Sequence, residues 1–324
     1  MRRPASVVVA ALISFHAAAE PIELNSSRVA FSEEEIQEPA VVGQLEFRGG
    51  IHVTSPDGRF GGWSGLLATE RGGALIAVSD KGYWLVARPR YDARGQLVDL
   101  SETGEIGVLP DMVGRPVRGM RRDAEDLALL PDGVAVAFEG DHRIWRYPFG
   151  PGPFASSPVP LAPPPGLFRA PSNRGIEAMT ALADGRLLAI TEGLFVADGE
   201  LQGWLSDGPP HRAWQALTWL NEGLFVPTGA AALPGGDVLV LQRRFSWIGG
   251  LASRISLVRA SELRPGARLA GREVAVLQTP LVHENFEAIA VTERAGETLV
   301  YLLSDDNYQP VLQRSMLLMF ALRQ

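Results

Sequence analysis

Ten acidic residues are placed where they could bind a cation or move a proton. Each stands at the start or the end of a short apolar segment, and hairpins would bring these ends to one edge. They are Asp80, Asp123, Glu125, Asp126, Glu139, Glu177, Glu192, Glu287, Asp305 and Asp306. Carboxylates this close raise one another's pKa, so a positive group must lie among them.

A bound metal ion would supply that positive charge. Oxygen ligands without cysteine or clustered histidine favour a hard cation, so we expect Ca²⁺, with Mg²⁺ as second choice. We predict as metal ligands Asp80, Asp123, Glu125, Glu177, Glu287, Asp305 and Asp306. We predict as catalytic acid–base residues Glu139, Glu192 and His142. The alternative is that the acids form structural ion pairs with Arg122, Arg174, Arg243 and Arg244.

Basic residues follow the same segment ends. The set consists of Lys81, Arg143, Arg243, Arg244, Arg254 and Arg314, and we predict that the first five bind substrate. Lys81 is the only lysine of the chain. Because a guanidinium fork matches phosphate or carboxylate oxygens, acids and arginines at one edge indicate a site for an anionic group. For any single arginine, surface pairing is the alternative.

Other catalytic arrangements are excluded by the sequence. The chain has no cysteine, which removes disulfides and cysteine nucleophiles. The segment Gly62-Trp-Ser64-Gly65 lacks the final glycine of a nucleophile elbow, because Leu66 stands in its place. The histidines show no His-Glu-x-x-His spacing, and no phosphate-binding glycine loop precedes a helix pattern.

The acidic residues are carried by a repeated element. Five segments share two short apolar strands joined by a glycine-containing turn, at 63–82, 124–140, 176–193, 227–244 and 286–306. Their equivalent positions are Ser64, Glu125, Glu177, Thr228 and Glu287, spaced 51 to 61 residues apart. Hairpins at such a period are typical of β-propeller blades. We therefore predict an all-β fold, a single closed propeller of five blades, with a sixth blade in 148–173 or 197–226 left open.

The two ends of the chain are predicted to meet. Third strands are expected at 143–147 and 254–259, and fourth strands at 105–109 and 273–277. The last repeat has a third strand, 316–321, after which the chain ends, and the N-terminal segment 41–47 resembles the fourth strands. We expect this N-terminal strand to complete the last blade, because closure removes the open sheet edge.

The N-terminus and the charge indicate the compartment and the partners. Two arginines, an apolar run and three alanines within residues 1–19 are typical of a secretory signal peptide, so we expect a periplasmic or secreted propeller at 20–324. The net charge of −7 argues against a nucleic-acid partner. No later apolar stretch is long enough for a transmembrane helix. We expect a monomer that binds a small-molecule ester or phosphoester.

The motifs together resemble the phytase-like esterase domain family. The resemblance runs from about residue 47 to about residue 320 and rests on FGGWSGL (60–66), SDKG (79–82), DAEDLALL (123–130), FEG (138–140), NRGIEAMTALADGRLLAITE (173–192), QRRFS (242–246) and NFEAIAV (285–291). It implies a secreted or periplasmic propeller related to the calcium-dependent β-propeller phytases, with esterase or phosphoesterase activity. Those phytases have six blades and we count five, so only the acidic positions named above are carried over.

These observations predict a metal-dependent hydrolase acting on a phosphate ester or related ester at the propeller mouth. Two alternatives belong to other classes. One is a calcium-dependent lactonase of the gluconolactonase type, to whose metal site Asn173, Asn285 and Asn307 could contribute. The other is a non-catalytic periplasmic binding propeller, since a fold does not determine a function.

Overall fold

The computed structural model describes residues 19–32, 39–246, 250–309 and 312–323 as an all-β molecule. Its larger sheets are five blades, and four short 3-10 helices are the only helical segments of the described residues. None of these helices is long or apolar enough to cross a membrane. The predicted signal peptide, 1–19, lies outside the described residues except for Ala19.

Each blade begins with an inner hairpin. The paired inner and second strands are Trp63–Ala68 with Leu75–Ser79, Ala124–Leu130 with Gly133–Phe138, Ile176–Ala181 with Leu187–Ala197, Val226–Ala232 with Val238–Ser246, and Phe286–Arg294 with Glu297–Ser304. Valine, isoleucine and leucine fill these strands, which favours pleated, buried sheet. The five hairpins coincide with the five predicted repeats, and the prediction of five blades is confirmed.

Outer strands complete the blades. The third and fourth strands are Tyr83–Ala87 and Thr103–Val108 in blade 1, Arg143–Pro148 and Val159–Pro160 in blade 2, Glu200–Ser206 and Trp214–Leu220 in blade 3, Gly250–Val258 and Arg272–Leu277 in blade 4, and Met316–Leu322 and Leu45–Thr54 in blade 5. Arg268–Leu269 adds a parallel strand to blade 3, and Pro89–Tyr91 pairs with Leu97–Leu100 as a separate ribbon. The segments 148–173 and 197–226 supply outer strands to blades 2 and 3, so no sixth blade forms within the described residues.

The N-terminal segment closes the ring. Strand Leu45–Thr54 runs antiparallel to Met316–Leu322, with Leu45 opposite Leu322 and Ile51 opposite Leu317. Val41–Val42 folds back on the same strand. The predicted closure is therefore confirmed, although the strand extends further along the chain than the predicted 41–47.

A second contribution of the N-terminus was not predicted. Glu20–Glu23 adds an outer strand to blade 1, and Asn25–Arg28 adds one to blade 5. One continuous segment therefore ties the first blade to the last. Because the two strands lie in different sheets, they join these blades side by side at the closing seam of the ring.

The core lies between blades. The inner strands contact one another in cyclic order, from blade 1 through blade 5 and back to blade 1. Trp63 packs between blades 5 and 1, whereas Trp84 and Trp145 pack between blades 1 and 2. These tryptophans fill the wedge between neighbouring sheets. The packing leaves a channel surrounded by the five inner strands.

Candidate metal and ester site at the propeller mouth

A β-bulge interrupts every inner hairpin at the same place. The residues displaced from the pairing register are Ser64, Glu125 with Asp126, Glu177, Thr228 and Glu287. A bulge inserts an extra residue and redirects the side chains beside it. The exposed fraction of the five equivalent side chains lies between 2 and 8 %. The bulges thus place three carboxylates and two hydroxyls around one end of the channel, which we call the mouth.

Three carboxylates of blade 2 form the tightest acidic group. Asp123 precedes the inner strand, Glu125 lies on its bulge and Glu139 follows the second strand. The backbone N–H of Glu139 donates to the Asp123 carbonyl at 2.8 Å, which holds the two strand ends together. One carboxylate oxygen from each of the three residues lies within 4.8 Å of the others. This blade 2 triad is close enough to share one cation.

Burial and mutual repulsion raise the pKa of carboxyl groups around the mouth. Burial raises the pKa of Glu139 to about 7 and that of Asp80 to about 6, and nearby Asp123 adds to both shifts. The pKa of Asp305 rises to about 8 through burial and the neighbouring charge of Glu287. Burial followed by carboxylate repulsion also raises the pKa of Glu125 and of Glu177. The mouth therefore favours bound protons or a cation.

One arginine neutralises part of this charge. Arg243 places Nη1 3.2 Å from Glu287 Oε1 and Nη2 3.5 Å from Glu192 Oε1. Its Nη1 also donates to Asn285 Oδ1 at 3.0 Å, and Asn285 Nδ2 donates to Glu287 Oε1 at 2.7 Å. Arg174 lies 3.9 Å from Glu192. Of the four arginines considered for structural ion pairs, Arg174 and Arg243 form such pairs, on the side of blades 3 to 5. Arg122 and Arg244 form none among the described residues, and Arg244 packs on the ring of Phe225.

On the other side of the mouth, Lys81 and Arg122 act on Asp80, and Arg122 acts on Asp123, without forming an ion pair within the described chain. Among the described residues, no basic side chain forms an ion pair with Asp80, Asp123, Glu125, Glu139 or Glu177. The Oδ1 atom of Asp80 is buried without a hydrogen-bond partner in this part of the chain. Carboxylate oxygens are the ligands that a hard cation requires, and those of the blade 2 triad are close enough to share one ion. The residues present therefore fit a calcium or magnesium ion.

Two of the ten acids serve the fold through their hydrogen bonds. Asp126 accepts backbone N–H donors from Leu127 and Met179 at 2.8 Å and from Ala230 at 3.3 Å. Asp306 accepts from the Gly62 and Tyr308 amides, both at 3.0 Å, and from the Ser315 hydroxyl at 2.9 Å. We therefore leave Asp306 out of the ligand set proposed below.

The predicted substrate-binding residues are spread over different surroundings. Within the described residues, Arg243 lies among the carboxylates of blades 3 to 5, and Lys81 lies beside Asp80. Arg143 packs on the rings of Phe138 and Trp145 and donates to the backbone carbonyls of Asp141 and Arg121. Arg244 and Arg254 both pack on the ring of Phe225, at 4.7 and 4.6 Å from its centroid. Arg314, from the wider basic set, pairs with Glu284 at 2.7 Å.

Lys81 has an aromatic partner that the sequence did not indicate. Its Nζ lies 2.9 Å from the centroid of the Tyr308 ring, beside Asp80. Asn307 and Tyr308 both have positive φ, of 49° and 51°, which is uncommon for residues other than glycine. The position of Tyr308 directly after Asp305-Asp306 was the available signal. Strained backbone of this kind is often found at functional sites.

His142 and Ser64 occupy the edges of the site. His142 Nε2 donates to the Pro171 carbonyl at 3.1 Å, while Nδ1 is buried without a partner among the described residues. A Cβ atom on Gly175 would approach both His142 Nδ1 and Glu139 Oε1, so this glycine separates the two side chains. Ser64 donates weakly to the Gly62 carbonyl at 3.5 Å. The described residues show no hydrogen bond between His142 and Ser64.

The asparagines considered for a lactonase are divided. Asn285 belongs to the Arg243 cluster described above. Asn307 Nδ2 donates to Gln313 at 2.7 Å, and Asn173 is exposed. Among the described residues, Asn285 is the one of the three whose side-chain amide donates to a carboxylate of the mouth, that of Glu287. The side-chain oxygen of Asn285 already accepts a hydrogen bond from Arg243.

Comparison with known families gives a match over most of the chain. Residues 58–308 match the profile of the family described as "Phytase-like: Esterase-like activity of phytase". The chain belongs to this family. The matched range includes all three residues of the blade 2 triad and both residues of the Lys81–Tyr308 contact. The resemblance recognised in the sequence is therefore confirmed for this phytase-like chain.

Other comparisons are more distant. No curated protein matches the sequence. Similar solved structures include an α-L-arabinofuranosidase from Podospora anserina in complex with cellotriose, with a TM-score of 0.49, 12 % identity and coverage of 86 % of this chain and 97 % of that one. A PQQ-bound aldose sugar dehydrogenase from Streptomyces coelicolor has a TM-score of 0.45 and 13 % identity, with coverage of 94 % of this chain and 99 % of that one. The phage phi92 endosialidase has a TM-score of 0.44 and 10 % identity over 93 % of this chain. This chain spans 58 % of the length of the endosialidase chain.

Proposed function

We propose that this phytase-like propeller is a cation-dependent hydrolase that acts on a phosphate ester or a related ester at its mouth. The observation that carries the proposal is the blade 2 triad, whose carboxylate oxygens lie within 4.8 Å of one another. No basic side chain of the described residues pairs with the triad, whereas Arg243 neutralises the opposite side. Family membership supports an ester-cleaving activity.

Asp123, Glu125 and Glu139 would hold the cation, with Asp80 and Glu177 as neighbouring carboxylates. We propose Ca²⁺, because all the ligands are oxygens and the set is highly charged. When bound, such an ion supplies Lewis acidity and lowers the pKa of a coordinated water. We keep Glu287 and Asp305 outside this group, since Glu287 pairs with Arg243 and Asp305 lies in blade 5, outside the triad. Glu139 stays in the group, although its Oε1 accepts the Gly175 backbone N–H.

The remaining residues of the mouth have separate tasks. Arg243 lies where it can hold a negatively charged group between the blades, and Lys81 offers a second cation from the opposite side. Glu192 would accept the proton of the attacking water. Burial raises the pKa of Glu192 above its usual range while Arg243 and Arg174 oppose the rise, and a raised pKa strengthens a carboxylate as a general base.

The proposal is tested with purified protein by elemental analysis and a substrate panel. The panel contains an aryl phosphate, an aryl carboxylate ester and an aldonolactone, each with Ca²⁺, Mg²⁺ or EDTA. We expect turnover of the phosphate or carboxylate ester that EDTA abolishes. Glu125→Gln should remove the bound metal and lower turnover by about 10²-fold or more. The matched control is Asp198→Asn, an exposed acid in a hairpin turn on the same face.

Arg243→Ala separates the role of the basic group from that of the metal. We expect it to lower turnover by roughly 10²–10³, the usual effect of removing a donor to developing negative charge. Turnover of the lactone alone would support the lactonase class. A protein without bound metal and without turnover of any substrate would be a binding propeller.

We also propose that the chain is exported and that its first 19 residues are removed, on the basis of the sequence pattern described above. N-terminal sequencing of the protein recovered from the periplasm or the medium tests this. A mature N-terminus at Glu20 is expected, since it follows the predicted signal peptide 1–19 and begins the outermost strand of blade 1. Recovery of the intact chain from the cytoplasm alone would contradict it.

A further inference from the structure

The face of the propeller that contains the mouth presents apolar side chains to solvent. On the loops around the mouth these include Met112, Met120, Phe168, Phe195, Leu224 and Leu312, with exposed fractions of 51 to 83 %. Elsewhere in the described chain the exposed large apolar side chains are Val41, Leu129, Phe149 and Val159. Single exposed apolar residues are ordinary, but their concentration on one face marks an interaction surface.

Three of these loops share a motif that builds the surface. The tripeptide Gly-Leu-Phe occurs at 166–168, 193–195 and 223–225, each time at the mouth end of a blade. In each loop one apolar side chain is buried, at 2 % for Leu167, 9 % for Leu194 and 6 % for Phe225. The other apolar side chain is exposed to solvent, with an exposed fraction of 83 % for Phe168, 51 % for Phe195 and 78 % for Leu224. The buried member anchors the loop while its neighbour stays in water.

Arginines stand beside the most exposed of these side chains. Arg118 lies two residues before Met120 and Arg169 follows Phe168; both arginines are exposed and form no ion pair within the described residues. Arg122, on the other side of Met120, acts electrostatically on Asp80 and Asp123 of the mouth. The two loops are neighbours, because Gly140 contacts the Met120 carbonyl and donates its N–H to the Ser172 carbonyl at 2.9 Å. Most carboxylates of the mouth are buried, and the exposed Asp141 of these loops is paired with Arg121, so Arg118 and Arg169 carry the unpaired charge beside Met120 and Phe168.

We infer that the mouth face docks on an anionic lipid bilayer. Apolar side chains flanked by arginine enter the interface between headgroups and acyl chains, while the guanidinium groups remain at the anionic headgroups. A protein partner would instead require a continuous apolar centre depleted of charge. Here arginines stand beside Met120 and Phe168, the two most exposed apolar side chains of their loops, and the apolar residues surround an acidic opening. Docking by this face would bring the mouth directly to the lipid surface.

The test is co-sedimentation with vesicles in EDTA, so that it does not depend on the proposed cation or on hydrolysis. Vesicles of phosphatidylglycerol and phosphatidylcholine in equal amounts are compared with phosphatidylcholine alone. We expect binding to the anionic vesicles that weakens at high salt. The double variant Met120→Ser/Phe168→Ser should lose about tenfold or more in partitioning, and Arg118→Gln/Arg169→Gln should lose the preference for anionic lipid.

The control variant is Phe149→Ser, which removes a side chain of 58 % exposure on the opposite face and should bind as the wild type does. An equal loss in this variant would overturn the inference, and so would a wild-type protein that binds neither vesicle. Analytical ultracentrifugation without lipid measures the oligomeric state of the protein. A dimer that Phe168→Ser dissociates would assign the face to a second copy of the chain and also overturn it.

Discussion

Arg243 divides the acidic mouth into two parts with different chemistry. It pairs with Glu192 and Glu287, so the negative charge of these two carboxylates is partly neutralised without a metal ion. The blade 2 triad lacks such a partner in the described structure, and its carboxyl groups have raised pKa values. The same set of acids thus contains both a structural ion-pair network and a candidate metal site.

Removing Arg243 should therefore cost stability as well as activity. Arg243→Gln leaves two buried carboxylates facing each other, and loss of one partner of a buried ion pair commonly costs about 3–5 kcal/mol. Because its side chain is 35 % exposed, we expect the low end of that range. Urea unfolding measures the change. Arg243→Gln/Glu287→Gln should recover part of the loss, and strictly additive effects would show that the two residues do not interact.

The bulged inner strand is the element that makes the mouth. A regular strand would alternate its side chains between the two faces of a blade, whereas the bulge turns an extra side chain toward the channel. In blade 2 the bulge contains two acids, Glu125 and Asp126, which form different contacts. Glu125 joins the triad, while Asp126 accepts N–H groups from the inner strands of blades 3 and 4. One bulge therefore both builds the site and joins three blades.

Asp126→Ala tests the joining role. It leaves the buried amides of Met179 and Ala230 without their acceptor, and each unsatisfied group costs about 1–3 kcal/mol. We expect a loss of about 2–5 kcal/mol in the free energy of unfolding, measured by urea denaturation. Asp132→Ala, whose carboxylate forms an exposed pair with Arg146, is the control and should lose less than about 1 kcal/mol. Equal losses in the two variants would contradict the role of Asp126.

For the whole molecule, the concentration of buried carboxyl groups links stability to pH and to metal. Asp80, Glu139 and Asp305 have pKa values of about 6, 7 and 8, above the values of 3.8, 4.5 and 3.8 that describe unperturbed groups. The folded state therefore holds protons that the unfolded chain releases. Stability from these groups is complete below pH 4 and is lost as pH rises through 6 to 8.

We expect the metal-free protein to become less stable between pH 5 and pH 9, by an amount on the order of a few kcal/mol. Thermal unfolding in EDTA across this range measures it. Ca²⁺ at about 100 times its dissociation constant should restore about 2.7 kcal/mol. The restoration should grow with pH, because protons and the cation compete for the same oxygens. A midpoint that does not change with either pH or Ca²⁺ would contradict the proposed site.

The architecture could be predicted from the sequence because it is encoded locally. Apolar strands, glycine turns and a period of 51 to 61 residues specify five hairpins, and the lone third strand near the C-terminus requires a partner from the N-terminus. The equivalence of Ser64, Glu125, Glu177, Thr228 and Glu287 follows from the same repeats. Each of these features depends on residues close together in the chain or on simple completion of a sheet.

Which groups each acidic side chain contacts is determined by the tertiary structure alone. Whether a carboxylate meets Arg243, two backbone amides or only other carboxylates depends on distances between side chains of different blades, which are set when the ring closes. The strands Glu20–Glu23 and Asn25–Arg28 were likewise unpredictable, because their pairing partners lie in blades 1 and 5 and their own sequence is short and polar. Sequence periodicity specifies which residues reach the mouth, and contacts between blades specify what each one does there.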